Sequence, residues 1–208
     1  MASAIGSKSQ SARGADERRR NTGWLGRDRF YYLVGSQMAS FDIAITKTLA
    51  NEGGAAYTET PGDTGGATKY GISQKSYPTL NIKALTEAEA KAIYKRDYWD
   101  KIKGDLIADQ DIAESIFDFA VNSGVGTASK LAQTAACDVS GVKRAASFID
   151  GVVGPTTVGI LNTLNSNHFL AVYSLLKISR YAEICNKSRD QSKFLLGWVN
   201  RTLREWIL

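Results

Sequence analysis

Glu52-Gly53-Gly54, followed after two alanines by Tyr57-Thr58-Glu59-Thr60-Pro61-Gly62-Asp63-Thr64-Gly65-Gly66-Ala67-Thr68-Lys69-Tyr70-Gly71-Ile72-Ser73, decides how the chain is read. Counting back from Glu52, the positions Thr48, Ile45, Ala44 and Phe41 fall at the spacing of one helix face. A helix over 40–52 then carries Glu52 at its C-terminal end, on the buried side. Gly53 and Gly54 stop it, because glycine readily takes the left-handed conformation of a helix end. Burial and the negative end of the helix dipole both disfavour the charged carboxylate. Both push its pKa up, as a general acid working near neutral pH requires. The other reading of the same phase is an exposed Glu that frays the helix end.

The loop beyond Glu52 is rich in turn formers and holds a second carboxylate, Asp63, and a hydroxyl, Thr68. An acid, a carboxylate and a threonine on a glycine-rich ribbon suit hydrolysis of a glycosidic bond. One group protonates the leaving oxygen, the second stabilises positive charge or activates water, and the hydroxyl helps hold that water. Asp63 can also be read as a turn residue that bonds its own backbone.

The run Glu-Gly-Gly, then Pro-Gly-Asp-Thr-Gly-Gly-Ala-Thr-Lys-Tyr-Gly-Ile, resembles the N-acetylmuramidases of glycoside hydrolase family 108, which are phage endolysins and prophage relatives. Asp97-Tyr98-Trp99 and Phe117-Asp118-Phe119-Ala120-Val121-Asn122-Ser123-Gly124 carry the resemblance further. Asp150-Gly151-Val152-Val153-Gly154-Pro155-Thr156-Thr157 and Gly197-Trp198-Val199-Asn200-Arg201 resemble the peptidoglycan-binding half that accompanies the family. The resemblance runs from about residue 40 to the C-terminus. Ala55-Ala56, between the glycines and Tyr57, is a departure from the usual pattern. The order Glu, Asp, Thr is also similar to the catalytic triad of phage lysozymes, with different loop lengths.

The resemblance implies a mainly α, lysozyme-like compact helical domain with a glycine-rich active-site loop or short β-ribbon. It implies an enzyme that cleaves the β-1,4 bond between N-acetylmuramic acid and N-acetylglucosamine, with Glu52 as general acid and Asp63 and Thr68 as its catalytic partners. Tyr57, Tyr70, Trp99, Asp118 and Asn122 are the candidates for lining the sugar groove, since aromatic faces suit the apolar faces of pyranose rings. Asp118 and Asn122 are also readable as a polar pair satisfying backbone groups inside the fold. No cofactor and no metal is expected. A lytic transglycosylase, which uses one carboxylate and no water, and a non-catalytic wall-binding or secretion-associated protein are the alternatives.

Composition narrows the partners. The 208 residues carry 43% hydrophobic and 23% charged side chains, ordinary for a globular protein. The formal net charge is +5, but residues 1–37 hold seven Lys/Arg against three acids. The rest holds 19 basic and 18 acidic residues, nearly neutral, which does not argue for a nucleic-acid partner. The single histidine, His168, excludes a His-rich zinc site and reads as a surface residue at a helix start. Cys137 and Cys185 read as two buried thiols of a reducing compartment, with a disulfide left open. No stretch reaches the ~18 apolar residues of a membrane span. Arg18-Arg19-Arg20 precedes no apolar run, so a twin-arginine export signal is not supported. The expected partner is the glycan strand of peptidoglycan. The expected setting is a monomer made in the host cytoplasm, reaching the cell wall or periplasm after holin-type release.

Along the chain, residues 1–37 read as a disordered leader or an extension upstream of a natural start at Met38, or else as a basic arm for the anionic wall. Residues 38–137 form the catalytic region and 138–208 a helical peptidoglycan-binding-like region packed on it. Tyr70-Gly71-Ile72 is expected to pair briefly as a strand. Thr86-Glu87-Ala88-Glu89 is a capping box opening a helix to about Asp100. Asp109 or Asp111 caps a central helix that Gly124 stops, and Thr127 caps the next, through Ala136. Pro155 starts a short helix and a long one covers 167–187. A last helix carries Phe194, Leu195, Trp198 and Leu203 as its core stripe.

Overall fold

In a computed structural model, which describes residues 38–51, 56–59 and 66–204, helix α1 spans Phe41–Asn51. It buries Ala44, Ile45 and Thr48 of the face that the spacing selects, with Phe41 half-buried, and buries Leu49 beside them. The leader 1–37, Glu52 and Asp63 lie outside the described residues. The ends of α1 and the central helix are tied together. The Ser40 amide donates to Gln110 Oε1 at 2.7 Å, and Gln110 Nε2 donates back to the Ser40 carbonyl at 3.2 Å.

After the loop comes a hairpin of two short antiparallel strands, β1 (Thr68–Lys69) and β2 (Ile72–Ser73), with Thr68 opposite Ser73 and Lys69 opposite Ile72. Thr58 bridges the outer edge of β1 through two backbone hydrogen bonds to Thr68. Tyr70 and Gly71 are the turn and not part of a strand. Both have positive φ, 52° and 74°. That pairing matches the right-handed twist of the flanking strands. Gln74 then pins the descending chain, its Nε2 donating to the carbonyls of Tyr77, Pro78 and Leu80.

Helix α2 (Glu87–Tyr94) opens on the expected capping box, with both reciprocal bonds between Thr86 and Glu89 made. It does not continue as α-helix to Asp100. Lys95–Trp99 form a π-helical turn instead. The wider turn carries Trp99 into the core, where its indole packs against Phe41 and Phe117 at centroid distances of 5.8 and 5.6 Å. Gly104 lies against the same ring so closely that a Cβ there would overlap it. Trp99 Nε1 donates to Asp105 Oδ1 at 2.6 Å.

Helix α3 (Gln110–Ser123) is the central element, capped by Asp109, whose Oδ1 accepts from the Ile112 amide. Ile112, Ala113, Ile116, Phe117, Phe119 and Ala120 are buried along it. Gly124, at φ 83°, ends α3. Helix α4 (Val125–Ser140) starts directly after it, so Thr127 lies inside α4 and caps nothing. The expected boundary at 137/138 falls within this continuous helix.

Buried Gln133 of α4 holds the connection that follows. Its Nε2 donates to Asp150 Oδ1 and the Val152 carbonyl, and its Oε1 accepts from the Gly151 amide. Helix α5 (Pro155–Leu161) leads to Asn162, which bonds the backbone of Leu106 and Ala108 and so ties the second half to the first. Helix α6 (Ser166–Lys187) packs on α3 and α4, with exposed His168 in its first turn. The last helix, α7 (Leu195–Arg204), also lies against α6. Its inner side is Leu195, Trp198 and Thr202, while Phe194 and Leu203 are exposed. Residues from Met38 onward form one compact unit, mainly α and lysozyme-like. Cys137 and Cys185 are both buried and free.

Candidate active site

The hairpin and the C-terminal ends of α2 and α3 enclose a small polar cavity of about 150 Å³. Ser73 and Ser76 line it from the hairpin side, and Tyr77, Tyr94, Tyr98 and Asn122 face them. The type of turn explains the hydroxyl face. Residues directly opposite in an antiparallel pair project to the same side, so Thr68 shares the face of Ser73. Ile72, one residue away, points to the core and is buried. The Ser73 and Ser76 hydroxyls are 3.0 Å apart.

The phenols are fixed by their own partners. Tyr94 donates to the Tyr70 carbonyl at 2.9 Å, locking the helix to the turn. Tyr77 donates to Asp97 Oδ2 at 2.7 Å. The Arg96 guanidinium beside it holds the Asp97 carboxyl below the usual carboxylate range, Tyr77 adding to the effect and burial opposing it. Burial, and then Asp97 itself, push the Tyr77 phenol far above its ordinary value, so it stays a donor at any physiological pH. Rings, hydroxyls and an amide around a small cleft are the groups that grip a sugar.

The structure distributes the expected site residues unevenly. Thr68 stands on the hairpin, half-buried, its Oγ1 3.5 Å from the Gly66 carbonyl. Asn122 lines the cavity and donates to the Asp118 carbonyl. Tyr57 is exposed and donates to Glu59 at 2.6 Å. Tyr70 enters through its backbone, with its ring packed partly on the core.

Trp99 is not a groove residue. It is 0% exposed, and Phe41, Phe117 and Gly104 cover its ring. Asp118 does not line the hairpin cavity but borders a second cleft beside α1, and Asn122 Nδ2 donates to its Oδ2 at 3.4 Å. Arg201 of α7 takes both its oxygens, at 2.7 and 3.1 Å. Tyr94 and Tyr98, four residues apart, were readable as one helix face, and their ring centroids lie 5.8 Å apart. Among the described residues, no cluster of three or more His, Cys, Asp or Glu is placed to hold a metal.

Residues 45–124 match the family described as Glycosyl hydrolase 108. The chain carries a glycosyl hydrolase 108 domain. Residues 127–203 match a second family, described as Predicted Peptidoglycan domain. The glycosyl hydrolase 108 match stops at Gly124, where α3 gives way to α4, and the second begins two residues inside α4. The solved structure of SagA from Brucella abortus is similar, at 28% identity and a TM-score of 0.61 over 79% of this chain and 90% of that one. No curated protein matches the chain. The protein is a glycoside hydrolase that acts on peptidoglycan.

Proposed function

We propose that the enzyme is an N-acetylmuramidase that cuts the β-1,4 bond between N-acetylmuramic acid and N-acetylglucosamine. The observation that carries the reading is the glycosyl hydrolase 108 match, which spans Glu52, Asp63 and Thr68 together with the hairpin and its tyrosine-lined cavity. Glu52 gives its proton to the glycosidic oxygen as the C1–O bond breaks. Asp63 faces the oxocarbenium-like transition state and takes the proton of the incoming water, which Thr68 helps to hold. Water adds to C1 and leaves a reducing sugar end. The tyrosines and Asn122 seat the flanking sugar.

In this reading the protein is a monomeric endolysin. It is made in the bacterial cytoplasm and reaches the cell wall by holin-type release. No helix among the described residues is long and apolar enough to cross a membrane.

The test is product analysis by mass spectrometry on purified peptidoglycan, wild type beside Glu52→Gln. The wild type is expected to leave reducing N-acetylmuramic acid ends, and the variant to lose ~10²–10⁴-fold in rate with its fold intact. Reducing N-acetylglucosamine ends would move the cut to the other bond. Anhydro ends would replace hydrolysis with transglycosylation, and a variant as fast as wild type would remove Glu52 from the mechanism.

A further inference from the structure

A second and larger cleft, about 620 Å³, lies between α1, α3 and α7. It is built from both family segments, with Lys47 and Thr48 on α1, Asp111 and Glu114 on α3, and Asn200 and Arg204 on α7. Its volume is in the range of small-ligand sites. Its chemistry differs from that of the hairpin cavity. No aromatic ring lines it among the described residues, and charges of both signs do.

Some of those charges are already spent. Glu114 is held by Lys47 at 2.5 Å and by Gln110 at 2.8 Å. Asp118, which also borders the cleft, is clamped by Arg201. Asp111 and Arg204 are different, since neither makes an ion pair among the described residues. They stand on two different helices that line the cleft, Asp111 on α3 and Arg204 on α7. α1 lines the cleft as far as Ala50, two residues before Glu52.

A neutral N-acetylated sugar offers hydroxyls to this pattern but no charge to match its own. The polymer, however, carries short peptides that bear free carboxylates and, on a diamino acid, a free ammonium. We propose that this cleft binds the peptide stem of peptidoglycan, Arg204 taking a stem carboxylate and Asp111 the ammonium. The proposal rests on the muramidase reading for its polymer, and adds that the enzyme reads the peptide as well as the sugar. Glycan strands stripped of their stems would then have a higher KM than strands that keep them.

The test is direct binding, kept apart from catalysis. A synthetic stem tetrapeptide ending in a diamino acid and D-alanine is titrated into the full-length Glu52→Gln protein, followed by calorimetry and by amide chemical shifts. Saturable binding is expected, weakened about tenfold by Arg204→Ala and by a similar factor in Asp111→Ala, as loss of a charge-assisted contact implies. Matching melting temperatures for the variants show that the fold survives. No saturable binding, or binding that neither variant changes, overturns the proposal. Whether the wild type cuts stem-stripped glycan at all is read alongside, and that outcome bears on the muramidase reading alone, while an unchanged KM on that glycan would count against the stem site.

Discussion

Trp99 is held in three ways at once, by two aromatic edges, by a glycine with no Cβ, and by one hydrogen bond to Asp105. The last of these has a pH signature. The Trp99 N–H, and then Lys95, hold the Asp105 carboxyl below its usual range, with burial opposing them. The folded state therefore favours the charged form. Its contribution to stability is fully present above the unfolded value of about 3.9, and is lost as pH falls through the lower folded value. Wild-type melting temperature should accordingly drop on acidification from pH 5 to 2. Asp105→Asn, which can still accept from the indole but cannot titrate, should show a shallower acid limb. Parallel limbs for the two proteins in calorimetric scans would mean that Asp105 is not linked to folding.

At the scale of one element, the hairpin owes its shape to two residues with positive φ. Gly71 takes that conformation at no steric cost. Tyr70 takes it against the Cβ penalty of roughly 1–2 kcal/mol, offset by the Tyr94 phenol on its carbonyl and by ring packing. The turn in turn places Ser73 and Thr68 on one face. Gly71→Ala should cost about 1 kcal/mol of stability. It should cost more in turnover than that small loss implies, because the strands that carry Thr68 and Ser73 would splay. Wild-type kcat in a variant with lowered melting temperature would show that the hairpin does not position the reaction.

Across the whole molecule, the Asp118–Arg201 pair joins the two family segments. Its side chains are only 20% and 27% exposed, and the geometry is bidentate. Half-buried fork contacts of this kind are worth more than surface ion pairs. A double-mutant cycle of Asp118→Asn and Arg201→Lys, read by urea unfolding, should give a coupling of about 1–2 kcal/mol. A coupling near zero would mean that α6 and Asn162 hold the halves together without the pair.

Local physics was legible in the residues themselves. The Thr86–Glu89 box, the Asp109 cap and the buried face of α1 depend on neighbours three or four positions away, and all three are in the structure. The glycine-rich loop with its Glu, Asp and Thr was legible too, and it lies within the stretch that matches the Glycosyl hydrolase 108 family. The arrangement of Glu52 and Asp63 lies outside the described residues. What the residues did not disclose was settled by distant contacts. A π-helical turn shifts the helix by one residue, sending Trp99 inward and leaving Tyr98 on the cavity. Asp118, four residues from Asn122 and bonded to it, is also clamped by a guanidinium 83 positions along the chain. Tyr70 belongs in a strand by its own propensity, yet Tyr94 and the flanking twist make it a turn. Helix phase and capping are short-range energies, written in the order of residues. Which face a ring or a carboxylate finally presents is decided by partners that meet only once the chain has folded.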